Sequence, residues 1–315
     1  MKKVLYVSFL GWVFLVSMYL TFPIDSFRFL LEEQILHALS GEQQGTRFQT
    51  PPQVMVGELS LWRLSGIAMQ DVQIRMASET EESGAEFKLA KLKIRLGILS
   101  TLLGKPKIHF DSKIDDGSAA GSVTLKAEGA LSALSLNIRG IDLAKLRGPV
   151  NAETDLKMNG LLNLNADLNL GKNPVKDGDG QANIDFKNLS IGPGVFELPG
   201  GALGGFTLPK IVLGRFAGKI SLQHGKAHIT DLNLSGGDLE ARVNANVELV
   251  ENILLSPLKG SGWFKLKPDF QKANPKIASV LEMSPDIKAA EEADGRVHFT
   301  LIGSLMQPTP KWGKE

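Results

Sequence analysis

The chain predicts a mainly β protein: an N-terminal transmembrane helix followed by an elongated, curled antiparallel sheet with few short helices. Three observations carry that expectation. Residues 2–23, KKVLYVSFLGWVFLVSMYLTFP, join two lysines to a long apolar run and a proline. From about Val54 onward, hydrophobic residues recur every second position rather than every 3.6. Glycine-bearing turn signals then separate one alternating segment from the next.

The first segment has two readings. A cleaved signal peptide needs a short apolar core and a small-x-small exit, whereas a spanning helix needs about 20 apolar residues. Val4 to Phe22 is uncharged and covers roughly 28 Å as a helix, close to the hydrocarbon thickness of a bilayer. Its exit, Val16-Ser-Met-Tyr-Leu-Thr-Phe22, offers no good pair of small residues, and without cysteine there is no lipoprotein site. A retained anchor is therefore preferred over cleavage, with Val4, Leu5, Phe9, Trp12, Phe14, Tyr19 and Phe22 in the lipid-facing run. Lys2 and Lys3 orient it with the N-terminus inside. The expected division is an anchor over 1–23, an amphipathic junction helix over 24–41 and a periplasmic β-rich domain over 42–315.

The junction helix rests on Asp25 and Ser26 as N-caps and on FRFLLEEQILHALSG, where Phe27, Leu30, Leu31, Ile35 and Leu39 follow helical spacing. It packs on the domain or lies on the bilayer. The clearest strand is LLNLNADLNLG, residues 161–171: Leu162, Leu164, Ala166, Leu168 and Leu170 face one way, the asparagines and Asp167 the other. The same alternation runs through GSVTLKAEG, GQANIDFKN, GKAHITDLNLSG, LEARVNANVEL and GRVHFTLIGSL. Roughly 14 to 18 strands are expected by this pattern. Helical pattern is sparse: a short apolar turn after Gly97, and a segment from Ile277 that breaks at Pro285 and can resume through Ile287–Glu292. So few helices cannot cover so many apolar strand faces. The sheet must fold on itself as a sandwich or curl into a trough, and periodicity leaves both open. Gly192 to Lys210 reads as a long loop.

Composition excludes several functions. Formal net charge is +1 with acids and bases interspersed, so nothing favours nucleic acid. His224 and His228 sit about a hairpin glycine with no third ligand, and Asp177-Gly-Asp-Gly180 lacks the remaining calcium ligands, so both read as turns and no metal or cofactor is expected. No phosphate loop or nucleophile elbow is present. The basic run from Phe87 to Gly97, with Lys88, Lys91, Lys93 and Arg95, lacks interleaved aromatics and reads as the solvated face of a strand. With no catalytic constellation, the chain is not expected to be an enzyme.

The order of these segments resembles a known family. One N-terminal span is followed by LSLWRLSGIAMQDVQIRM (59–76), ILSTLLGKPKIHFDSKIDDG (98–117) and DLAKLRGPVNAETDLKMNGLLNLNADL (142–168). GKISLQHGKAHITDLNLSGGDLEARVNANVELVENILLSPLKGSGWFKLKP (218–268) and DGRVHFTLIGSLMQPTPKW (294–312) complete the match. The chain resembles protein N of the type II (general) secretion pathway, in its delta-proteobacterial form, and the wider AsmA-like group of envelope proteins. The resemblance implies a non-catalytic inner-membrane protein whose periplasmic β-region works beside other secretion-system components. AsmA-like relatives imply a second reading, a curled sheet with an apolar groove that shelters phospholipid. Here Leu162, Leu164, Leu168, Leu170, Val243, Val247, Phe299 and Leu301 would line it. This chain is short for a bridge between membranes: some 16 strands span roughly 75 Å.

Overall fold

The computed structural model describes residues 53–313 except 64, 77–84, 127–129, 146–157, 172, 197–205, 276, 278 and 280–283. Before residue 53 it describes residues 13, 17, 28, 29, 31–33 and 36, all helical. The expected anchor residues Val4, Leu5, Phe9, Trp12, Phe14, Tyr19 and Phe22 lie outside the described residues. Among those described, no helix is long and apolar enough to cross a membrane.

The chain begins with β1 (Gln53–Met55), β2 (Leu59–Trp62), β3 (Gly66–Met76) and β4 (Ala85–Leu96). After helix α1 (Ile98–Leu102) come β5 (Lys107–Ile114), β6 (Gly117–Leu125), β7 (Leu131–Asp142) and β8 (Met158–Asn169). Helix α2 (Pro174–Asp177) leads into β9 (Asp179–Ile191), and a small hairpin of β10 (Gly194–Phe196) and β11 (Phe206–Leu208) follows. Next are β12 (Ile211–Gln223), β13 (Lys226–Gly236), β14 (Leu239–Glu248) and β15 (Pro257–Leu266). Helices α3 (Pro268–Ala273) and α4 (Pro285–Ala289) precede β16 (Val297–Ser304) and β17 (Pro308–Trp312). The glycine-rich stretch expected as a loop is thus partly the β10–β11 hairpin. Helix resumes after the break at Pro285, as α4 with Pro285 in its first turn, where the missing N–H costs nothing.

Apart from that hairpin, the strands form one 15-stranded antiparallel sheet, ordered almost as the chain runs, with β1 and β2 both against β3. Antiparallel neighbours need only short turns, which is why so few helices suffice as connections. Both edges are defended. β1 and β2 are short, and β17 carries Pro308 and Pro310, which have no N–H to offer a further strand.

Alternation along several strands is interrupted by bulges. Register shifts fall between Ile138 and Ile141 in β7, Ser190 and Lys187 in β9, and Ile229 and Leu232 in β13. Gly140 (φ 62°) and Asp231 (φ 54°) occupy the extra positions in left-handed backbone. Each skip keeps the apolar phase: Ile138 and Ile141 both face Leu164 and Leu162, and Ile229 and Leu232 both stay opposite apolar partners on β14. The freed amides are satisfied locally. Asn163 Oδ1 accepts the Gly140 N–H at 3.0 Å, and Asn244 Oδ1 accepts the Asp231 N–H at 3.1 Å. GKAHITDLNLSG is therefore one strand with a re-phasing step, not the unbroken alternation its ends suggest.

Packing is local. One cluster joins Val56, Leu59, Met69 and Val72 at the N-terminal edge; others centre on Leu189, Leu213 and Leu234, and on Ala245, Val247 and Leu258. Leu31 packs on the first cluster, and Glu32 Oε1 accepts the Val56 N–H at 2.9 Å. The described part of the junction helix thus packs on the domain. Met69 is 1 % exposed, whereas Leu164 is only half-buried. Met69→Ala should accordingly cost about 2–4 kcal/mol, and Leu164→Ala only about 1 kcal/mol, by denaturant unfolding. Equal losses would mean that Leu164 sits in a closed core.

Candidate functional site

Register places every alternating segment in phase, so one face is apolar from edge to edge. Ile94, Phe110, Gly121, Leu136, Ala166 and Ala182 are successive cross-strand partners from β4 to β9. The row continues through Ile220, Ile229, Ala245, Gly260, Leu301 and Pro310 to β17. A parallel row includes Ile138, Leu164 and Ile184, and on the C-terminal side Val243, Gly262, Phe299 and Trp312. The opposite face is polar, with Asn137, Asn165, Asn183 and Lys219 in line. Arg215 Nε bonds Asp185 Oδ1 at 2.7 Å across that face, which raises the Arg215 pKa, and Arg242 pairs with Asp231.

Leu162, Leu164, Leu168, Val243, Val247, Phe299 and Leu301 are all brought to the apolar face. Leu170 lies just past the end of β8, its N–H bonded to the Ser132 carbonyl. Their burial divides them. Val247 is 2 % exposed and belongs to a packed cluster, so it is core rather than lining. Leu162, Leu164, Leu168, Val243, Phe299 and Leu301 are half-buried. A second layer at the usual spacing of about 10 Å would bury such inward leucines almost completely. Among the described residues, what shields them is lateral. A Cβ on Gly121 would meet Phe110 Cζ at 2.8 Å, and one on Gly218 would meet Leu232 Cδ1 at 2.6 Å. Large side chains therefore lean over neighbouring glycines. Phe186 and Phe216 pack with ring centroids 5.7 Å apart, and Phe264, Phe299 and Trp312 form a second aromatic group with centroids at 6.1–6.4 Å. Among the described residues, one polar group interrupts this face. Ser112, between Leu92 and Ala119, is buried, and its Oγ has no hydrogen-bond partner.

The histidine pair is not a ligand set: His224 sits in the β12–β13 turn with φ 50°, and His228 Nδ1 is 2.6 Å from Asn246 Oδ1. No group of three metal-ligating side chains occurs among the described residues.

The basic run is a strand, as expected, but it is not without an aromatic. The β2–β3 hairpin carries Trp62 into it, with Lys93 Nζ 5.2 Å, Arg63 5.3 Å and Arg95 6.0 Å from the ring centroid. These are cation–π distances. Trp62 lies far from Lys93 in sequence, so only the register β2–β3–β4 could have revealed the grouping. His109, across from Arg95 on β5, feels the same field. Burial first, then the Arg95 and Lys107 charges, lower its pKa below 6.5.

No known protein family, no curated protein and no solved structure matches the chain.

Because the folded state binds the His109 proton less readily than the unfolded chain, this residue's contribution to stability falls as pH drops through 6.5 toward its folded value. NMR titration should place its midpoint below 6.5, and Arg95→Gln should move it partway back up. An Arg95→Gln midpoint identical to that of the unaltered protein would remove the electrostatic part of this explanation.

Proposed function

We propose that the protein is a non-catalytic, inner-membrane-anchored periplasmic component of a type II protein secretion system that works by sheltering apolar chains on its sheet. The secretion assignment rests on the sequence resemblance. The lipid reading is favoured by one observation: a continuous apolar face crosses strands β4 to β17, and Leu162, Leu164, Ile220, Phe299 and Leu301 on it are only partly buried. An apolar surface of that extent, left only partly covered, is the kind that serves binding. Its residues supply no charged group to recognise a headgroup, which suits acyl chains held by dispersion and exclusion from water.

In this reading the sheet curls with the apolar face inward. Bulges bend a strand and increase its twist, and here they fall in β7, β9, β12 and β13 through the middle of the sheet. Glycines on the inner face leave room for that bend. The path of 14 hydrogen-bonded strands is about 60 Å long, so the trough would be one section of a route between membranes. Segment 2–23 would hold its N-terminal edge at the bilayer, beside the contact of Leu31 with the first cluster.

One pair of variants tests both halves. Leu164→Arg places a charge on the apolar face; Asn165→Arg places it on the polar face. The unaltered protein, extracted gently and examined by non-denaturing mass spectrometry, should carry phospholipid; Asn165→Arg should retain it and Leu164→Arg should lose it while keeping its β circular dichroism. In cells, Leu164→Arg should lower export of secreted proteins as far as deletion of the gene does. Absence of lipid from the unaltered protein overturns the groove, and unchanged export on deletion overturns the secretion role.

A further inference from the structure

The connections at one end of the strands are unlike those at the other. The β4–β5, β14–β15 and β16–β17 connections all lie at the same end, and they expose large apolar side chains. The β4–β5 connection is the most distinctive. Ile98, Leu99, Leu102 and Leu103 are 50 %, 73 %, 78 % and 73 % exposed, and α1 has no buried residue. Nothing in the sheet needs them there.

This tip is built to leave water. Its backbone closes on itself: Gly104 N–H bonds the Thr101 carbonyl at 3.0 Å and Lys105 N–H the Ser100 carbonyl at 2.9 Å, the paired bonds of a Schellman cap. Gly104 holds the left-handed φ of 71° that this cap requires. Ser100 and Thr101 hydroxyls both donate to the Gly97 carbonyl, at 2.8 Å and 2.9 Å. The C-terminal amides and both hydroxyls of the turn are thus bonded within it while the aliphatic side chains are exposed, which lowers the cost of entering a low-dielectric medium.

Charge identifies the medium. Lys105 and Lys107 follow the tip directly, and Arg95 and the Trp62 group stand behind it. Residues 249–256 of the β14–β15 connection are comparably apolar, with Ile253, Leu254 and Leu255 exposed, but they contain Glu251 and no cation. Aliphatic residues at the point, cations behind them and an indole at the collar match the layering of hydrocarbon, anionic headgroup and interface. We propose that the β4–β5 tip docks into the headgroup region of an anionic phospholipid bilayer, inserting Leu99, Leu102 and Leu103. The docking does not depend on acyl chains occupying the sheet face, so either can fail without the other.

The chain has no cysteine, so a single one can be labelled cleanly. Full-length Leu102→Cys and Leu254→Cys, each carrying a nitrobenzoxadiazole fluorophore, are reconstituted into vesicles of phosphatidylethanolamine and phosphatidylglycerol. The label at 102 should shift to shorter wavelength and be quenched by doxyl-labelled lipid, while the label at 254 should stay in water. Adding Lys105→Gln and Lys107→Gln should weaken docking at 102 about 30-fold, since each cation near an anionic surface contributes about fivefold. A label at 102 that remains aqueous, or labels at 102 and 254 that shift alike, would overturn the inference.

Discussion

Cross-strand register is the constraint on which the rest of this protein depends. Side chains alternate with a period of two, so a slip of one residue in any hairpin would carry Asn163, Asn165 and Asp167 into the row now held by Leu162, Leu164 and Leu168. The described clusters are each confined to a few adjoining strands, so a strand learns its face from its immediate neighbours. The sheet therefore resembles a one-dimensional array, in which stability accumulates from nearest-neighbour terms. The asparagines that bond the amides of Gly140 and Asp231 belong to this system: they hold the bulges that keep the apolar phase where simple alternation would lose it.

Much of the fold was legible because alternation is a strong signal when one face is polar. LLNLNADLNLG defined β8 and its two faces without help, and the glycine-bearing turn signals, that beside His224 among them, marked hairpins that the structure contains. The bulges were harder to read. A glycine or aspartate inside a strand pattern says that alternation breaks, but not which neighbour will absorb the extra residue. Choosing between an open and a packed position was harder still. Leu164 and Val247 look alike in sequence, yet Val247 is covered by Leu258, Ala245 and their neighbours while Leu164 is not. Trp62 was invisible as part of the basic group because its partners lie on another strand.

The geometry has two surfaces of different chemistry. The sheet face is apolar and extended, and its described residues carry no charge, which suits chains whose identity matters little. The β4–β5 tip is small and amphipathic, with cations within a few residues of its leucines. In the proposed orientation, the N-terminal edge lies nearest the inner membrane, where Leu31 and Glu32 meet Val56 and where β4 and β5 present their tip. A tip set in headgroups beside the first strands would hold the mouth of the trough against lipid, and the face beyond it would carry chains away from the bilayer.

Everything in this view turns on whether the apolar face is open to lipid, and photo-crosslinking tests that face by face. A diazirine amino acid placed in cells at Leu164, at Ile220 on the same face, and at Asn165 on the other should yield phospholipid adducts at the first two positions and none at the third. Peptide adducts in place of lipid at Leu164 and Ile220, or equal lipid labelling at Asn165, would contradict an open, lipid-bearing face.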